Sequence, residues 1–260
     1  MEEKRSKYIT QFQIKKMWGR VDLAWSQIHE DVNILVGING CGKTTLLNLI
    51  SDYYTGQKIK KSMAESVKGT AIDSPVTYIR SFDVPANVKK KTESILLQEL
   101  KHIVNQNGEG TSFFDYRMKM LNFPQKAAHI QKRIDKFFCL VNRLFEETDK
   151  QIWINPHNNQ LQFVIRGKQD TIIQLEDLSS GEKQMLLILT TAFLQEEKPT
   201  ILLMDEPEIS LHISWQDRLI EWIRTLNPNC QLILTTHSPN IFANGWEDKI
   251  IFMQDLEEKI

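Results

Sequence analysis

Apolar and polar positions change rhythm along the chain, from alternation, to helical recurrence, to unbroken apolar runs. Residues 8–18 alternate loosely, with Tyr8, Phe12 and Ile14 set against Gln11, Gln13 and Lys15. Gly19 interrupts, and residues 21–25 alternate again, which predicts an antiparallel pair of strands. Residues 32–36 (Val-Asn-Ile-Leu-Val) predict a buried strand, and residues 45–50 a helix with its apolar side on a sheet. Residues 58–73 are polar and basic with no period, which predicts a loop; 76–82 follow Pro75 as a strand. From 92 to 150 the spacing is helical. Ile95, Leu96, Leu100, Ile103 and Val104 form one stripe, ended by Gly108 and Gly110, and Thr111-Ser112 supplies a cap for the next helix. Pro124 divides the stretch that follows. Ile130, Ile134, Phe137, Phe138, Val141, Leu144 and Phe145 form a second stripe. Lys126, Lys132, Arg133 and Lys136 fall on its other side, as a solvated face or as a DNA-facing stripe. Residues 152–154 and 161–165 flank Pro156-His157-Asn158-Asn159 and predict a β-hairpin. The last third predicts a helix over 185–194, a strand over 200–204, an amphipathic helix over 211–226, and strands over 231–235 and 249–252. Unbroken apolar strands alternating with helices imply a parallel sheet covered on both faces.

Between the first buried strand and its helix lies Gly37-Ile38-Asn39-Gly40-Cys41-Gly42-Lys43-Thr44, which fits the phosphate-binding pattern G-x-x-x-x-G-K-[ST]. Strand, glycine loop and helix start are the context that pattern needs. The glycines let backbone N–H groups turn toward phosphate oxygens, and the helix N-terminus adds partial positive charge. Lys43 is expected to reach the β- and γ-phosphates, and Thr44 to ligand Mg²⁺. Thr45 continues the cradle into the helix. Cys41, inside the loop, is either a small side chain tolerated there or a thiol through which a bulky reagent would block nucleotide binding. Trp18 and Trp25 are expected as sheet-face aromatics, with stacking on an adenine ring as the alternative.

Asp205-Glu206 closes the strand over 200–204, at the sheet edge where parallel sheets bind ligands. Asp205 is placed to hold the Mg²⁺ shell and Glu206 to activate an attacking water. Thr235-Thr236-His237-Ser238 ends the next strand and brings His237 to the same edge, in reach of a γ-phosphate. Leu178-Ser179-Ser180-Gly181-Glu182 precedes a helix, where Ser180 and Gly181 can offer a hydroxyl and a bare N–H to a second anion.

Composition narrows the partners only slightly. The 260 residues suit one large domain or a core with an inserted lobe, and 32 basic against 33 acidic residues leave a net charge of -1. That balance demands neither nucleic acid nor an anionic membrane. Cys41, Cys139 and Cys230 are far apart, form no metal-ligand spacing, and suit reduced thiols. With no apolar core near the N-terminus and no run near the ~20 residues of a membrane span, a cytoplasmic protein without a membrane partner is expected.

In this order the phosphate loop, LSSGE, LLMDEP and TTHS resemble the ABC-type ATPase superfamily over nearly the whole chain. The resemblance implies an α/β P-loop NTPase of ABC type. Its parallel core sheet would carry an N-terminal antiparallel β subdomain and an inserted helical lobe. It implies a division into 1–83, 84–175 and 176–260: the core with its phosphate loop, the lobe with the hairpin, and the core's signature end. It also implies ATP and Mg²⁺, bound between two copies, with Ser180 and Gly181 of one reaching the γ-phosphate held by the other. Gly37, Asn39, Gly40, Gly42, Lys43 and Thr44 would bind phosphate and metal, Asp205 would hold Mg²⁺, Glu206 would be the base and His237 the switch histidine.

Glu206-Pro207-Glu208-Ile209-Ser210-Leu211-His212 looks like the RecF-like and OLD-like soluble ATPases, many encoded beside anti-phage effectors, rather than transporter subunits. Ser81, Phe82 and Asp83 stand where that superfamily carries a glutamine, and Asp83 is the candidate for its place. The expectation is an ATP-driven homodimeric or larger homo-oligomeric switch. It would gate a separately encoded effector, a nuclease or other toxin. The alternatives are a DNA-repair ATPase that binds DNA and a transporter's nucleotide-binding subunit.

Overall fold

The computed structural model describes residues 5–81, 93–106 and 112–258. Five parallel strands form its centre, in the order β11-β3-β10-β9-β5. They are β3 (Val32–Val36), β5 (Val76–Ile79), β9 (Thr200–Asp205), β10 (Cys230–Thr235) and β11 (Ile250–Phe252). Every residue of β9 and β10 is buried, as strands covered on both faces require. Their side chains sort by parity. Ile34, Leu202, Met204, Leu232 and Leu234 enter one apolar core, and Leu35, Ile201, Leu203 and Ile233 enter the other.

The second core is closed by α1 (Lys43–Tyr54) and by an antiparallel sheet of β1 (Phe12–Met17), β2 (Val21–Trp25) and β4 (Ser66–Gly69). β4 lies in the stretch expected as a loop. It contributes a single apolar residue, Val67, and is held instead by backbone pairing to β1, with Gly69 opposite Phe12. A Cβ at Gly69 would collide with the Tyr54 hydroxyl and the Phe12 ring, so the close approach needs glycine there. Two buried amides pin this sheet to the core. Gln231 donates to the carbonyls of Ile9 and His29 and accepts from the Ile9 N–H, and Asn33 donates to His29 and accepts from the His29 N–H. Their hydrogen-bonding groups are thereby paired at strand entrances where water is excluded.

The first core takes α5 (Ser180–Leu194), α7 (Leu219–Leu226) and the helices α2 (Ile95–Asn105), α3 (Phe113–Asn122) and α4 (Ala127–Leu144). The α2 and α4 stripes therefore pack into the same core as α5. Ser112 caps α3 by accepting from the Asp115 N–H. The expected helix over 211–226 is broken: α6 (Ile213–Gln216) stops, and Arg218 N–H bonds back only to Trp215 before α7 begins. The expected hairpin gains a third strand. β6 (Lys150–Ile154) pairs β7 (Leu161–Ile165), which turns through Gly167 at φ 79° into β8 (Lys168–Ile173).

Arg133 departs from the expected solvated face of α4. Lys126, Lys132 and Lys136 are exposed, but Arg133 is 7% exposed. Its guanidinium donates to the Tyr116 hydroxyl at 2.6 Å and to the Phe193 carbonyl at 2.7 Å, and lies over both rings. The planar fork satisfies the open carbonyl near the end of α5 and ties α3 and α4 to it. Arg133→Ala is expected to lower unfolding free energy by about 3 kcal/mol, and Lys132→Ala to change it by less than about 0.5 kcal/mol. Urea unfolding followed by circular dichroism measures both; equal effects would contradict the assignment.

Candidate functional site

The register of the sheet assembles the site. Thr235 of β10 pairs with Leu35 of β3 on one side and Asp205 of β9 on the other. The loop after β3, the acids after β9 and the histidine after β10 consequently leave the sheet side by side, at its C-terminal edge.

The loop turns into α1 through Gly40 (φ 80°) and Gly42 (φ 101°), conformations that favour glycine. No side chain caps α1 and no acid sits in its first turn, so its N–H groups are left for an anion. Lys43 is 5% exposed and donates to the Gly37 and Ile38 carbonyls at 3.0 and 3.3 Å. Among the described residues no carboxylate pairs with it, so a buried cation faces only neutral acceptors. That arrangement fits a phosphate. The Cys41 thiol turns inward against the Gly37 backbone, so a reagent there would have to displace it from the loop.

Asp205 is buried, and its Oδ1 accepts from Thr44 Oγ1 at 3.1 Å and Thr235 Oγ1 at 2.7 Å. The Thr235 hydroxyl also accepts from the Glu206 N–H at 3.0 Å, holding Glu206 at φ 47°, a strained position for a residue with a side chain. Glu206 Oε1 lies 3.3 Å from His237 Nε2. Thr235 is the hub of this hydrogen-bond network, a place the motifs alone do not assign to it. The signal for it was a hydroxyl residue at the last position of an otherwise apolar strand. Among the described residues no cluster of three or more His, Cys, Asp or Glu could hold a metal alone. The Thr44 hydroxyl and Asp205 carboxylate are hard oxygen donors that fit Mg²⁺ shared with phosphates.

One cavity of about 570 Å³ joins these parts. Asn39, Gly40, Gly42, Lys43, Thr44 and Thr45 form its floor, Glu206 and His237 one wall, and Trp18 another. Trp25 is buried in the core, as expected of a sheet-face aromatic. Trp18 is 40% exposed at φ 54°, with its indole against Gly42 at the cavity. Asp83 lies outside the described residues.

Ser180 and Gly181 do not line that cavity. Ser180 is exposed on the first turn of α5. Ser179 and Glu182 form a reciprocal capping box there. Gly181 is pressed against the Ser210 carbonyl, where a Cβ would collide. Glu182 is 2% exposed and accepts from Lys150 Nζ at 2.6 Å and from the Ser179 N–H at 2.8 Å. Burial pushes its carboxyl up, but the Lys150 ammonium and Ser179 N–H outweigh it and leave the pKa below the ordinary glutamate value.

The parallel sheet and the glycine loop entering α1 define an α/β P-loop fold. Its architecture is similar to an SMC head solved bound to the C-winged helix domain of ScpA, with a TM-score of 0.55 over 94% of this chain and 93% of that one, at 15% identity. The chain belongs to the family described as "AAA domain, putative AbiEii toxin, Type IV TA system", whose model matches residues 77–243. It is 23% identical to the Septu protein PtuA of Bacillus thuringiensis over 82% of this chain and 67% of that one. It is also 23% identical to the retron Vc95 probable ATPase of Vibrio cholerae serotype O1 biovar El Tor, over 79% of this chain. The chain spans about two thirds of the first relative's length and less than half of the second's. Among the described residues no helix is long and apolar enough to cross a membrane.

A depressed folded-state pKa at Glu182 stabilises the fold above the ordinary glutamate range, and that contribution is lost as pH falls through the folded value. Wild type is therefore expected to exceed Glu182→Gln in unfolding free energy at neutral pH, with the excess vanishing in acid. Denaturant titrations across pH measure this; an excess that grows on acidification would contradict the pairing.

Proposed function

We propose that this chain binds ATP with Mg²⁺, hydrolyses it at a site completed by a second copy, and uses the cycle to gate a separately encoded effector. The supporting observation is the convergence of the glycine loop, Glu206, His237 and Trp18 around one cavity, with Asp205 hydrogen-bonded to Thr44 behind its lining. Gly37, Asn39, Gly40, Cys41, Gly42 and Thr45 supply backbone to the phosphates, and Trp18 offers its indole face to the purine. Lys43 exchanges the Gly37 and Ile38 carbonyls for phosphate oxygens, its charge gaining an anionic partner. Thr44 and Asp205 would hold Mg²⁺, which neutralises charge on the phosphates. Glu206 takes the proton of the attacking water, and His237, 3.3 Å from it, orients that water and contacts the γ-phosphate.

Ser180, exposed and outside its own chain's cavity, suits contact in trans, whereas Gly181 is buried against the Ser210 carbonyl and would have to offer its N–H beside it. A closed pair would be held by γ-phosphates and released on their loss, which makes the assembly bistable. We take 1–83 and 176–260 as the halves of the motor, 84–175 as the inserted lobe, and its helical part, 92–150, as the partner surface. The Lys150–Glu182 pair joins that lobe to the signature helix. Likeness to Septu and retron proteins, and a family described by a toxin–antitoxin system, support a cytoplasmic anti-phage setting with a toxic effector.

Glu206→Gln keeps the shape of the side chain and removes the base. Phosphate release is expected to fall by roughly 10²-fold or more, while bound ATP and a dimer mass persist in size-exclusion chromatography with light scattering. Undiminished phosphate release would contradict the assignment.

A further inference from the structure

Glu208 carries no role in the reading above, yet it is 9% exposed beside the cavity's acidic wall. Its Oε1 accepts two hydrogen bonds, from Thr236 Oγ1 at 2.7 Å and from the backbone N–H of His237 at 2.8 Å. Its Oε2 is buried without a hydrogen-bond partner among the described residues. Burying an unpartnered carboxylate oxygen is destabilising, so stability alone does not account for this side chain. The segment that carries it is braced elsewhere. Gln184 of α5 donates to the Pro207 carbonyl at 2.9 Å, Gly181 packs against the Ser210 carbonyl, and Ser210 sits at φ 67°. The N–H of Leu211 closes a turn onto the Glu208 carbonyl at 2.9 Å.

We propose that Glu208 is a positioning residue for hydrolysis: its carboxylate fixes the backbone of His237, and so sets where the imidazole stands relative to Glu206. The inference rests on the assignment of Glu206 and His237 to the reaction. β10 ends at Thr235, and its pairing to β3 runs out with the Thr236 N–H on the Leu35 carbonyl at 3.2 Å, one residue before His237. Glu208 replaces the lost strand pairing with one acceptor shared by a side-chain hydroxyl and a backbone N–H. Because the same segment rests on α5, the histidine is referenced to the signature helix as well as to its own strand. A displacement of about 1 Å in such a group lowers turnover steeply without altering nucleotide binding.

The test is steady-state ATP turnover, with affinity for a fluorescent ATP analogue and the thermal midpoint measured in parallel, for Glu208→Ala, Glu208→Gln and Glu206→Gln. Glu208→Ala is expected to lower kcat by roughly 10–100-fold with KM and analogue affinity little changed. Glu208→Gln keeps an acceptor oxygen and is expected to recover most of the turnover. Wild-type kcat in Glu208→Ala, or equal impairment in both Glu208 variants, would overturn the proposal. If Glu208→Ala does not fold, Thr236→Val removes the hydroxyl that fixes the carboxylate while keeping the shape. A lowered kcat with unchanged affinity supports the role there, and unchanged kcat overturns it. Loss of turnover in Glu206→Gln beside full activity in Glu208→Ala removes this inference alone. Full turnover in Glu206→Gln removes the assignment beneath it.

Discussion

The register of three parallel strands is the constraint on which the rest of the molecule depends. β3, β10 and β9 pair so that Leu35, Thr235 and Asp205 stand abreast. A slip of one residue would turn each strand's inward set to the opposite face and exchange the two apolar cores. It would also carry Asp205 away from Thr44. Burial of Leu202, Met204, Leu232 and Leu234 on one face and Ile201, Leu203 and Ile233 on the other therefore holds the polar edge in place. Hydrophobic packing supplies the stability, and the alignment of hydroxyl, carboxylate and glycine loop follows from it.

Around that edge, polar groups take over where strand pairing ends. Thr235 shares one hydroxyl between Asp205 and the Glu206 N–H, which holds the Glu206 backbone in a strained conformation. The loop from Glu206 to Leu211 then lies across the start of α5, and α5 carries the LSSGE segment. Lys150, from the small antiparallel sheet, reaches Glu182 in that same segment. Lobe, signature helix, acidic loop and histidine are thus joined by direct contacts.

Much of this was legible in the chain itself. Unbroken runs such as Thr200–Asp205 announce strands buried on both faces, and glycine spacing before Lys43 announces the left-handed turn into an uncapped helix. What escaped was held by partners distant in sequence. Val67 is a lone apolar residue, and β4 exists because β1 offers it a ladder. Arg133 reads as solvated on a helical wheel, but the carbonyl of Phe193, the Tyr116 hydroxyl and the two rings beneath its guanidinium hold it inward. The break between α6 and α7 has no proline to mark it. Trp18 gains its place from a left-handed turn that brings the indole over Gly42, which alternation cannot convey.

Asp205 is the meeting point of these features, since its carboxylate touches the threonine of the loop and the hub of the neighbouring strand. A structure of the protein with Mg²⁺ and a non-cleavable ATP analogue tests the account most directly. The account predicts a metal ion against Thr44 and Asp205, and a γ-phosphate hydrogen-bonded to Ser180 and Gly181 of a second copy. A triphosphate held by one chain alone, with Ser180 of every copy remote from it, would contradict it.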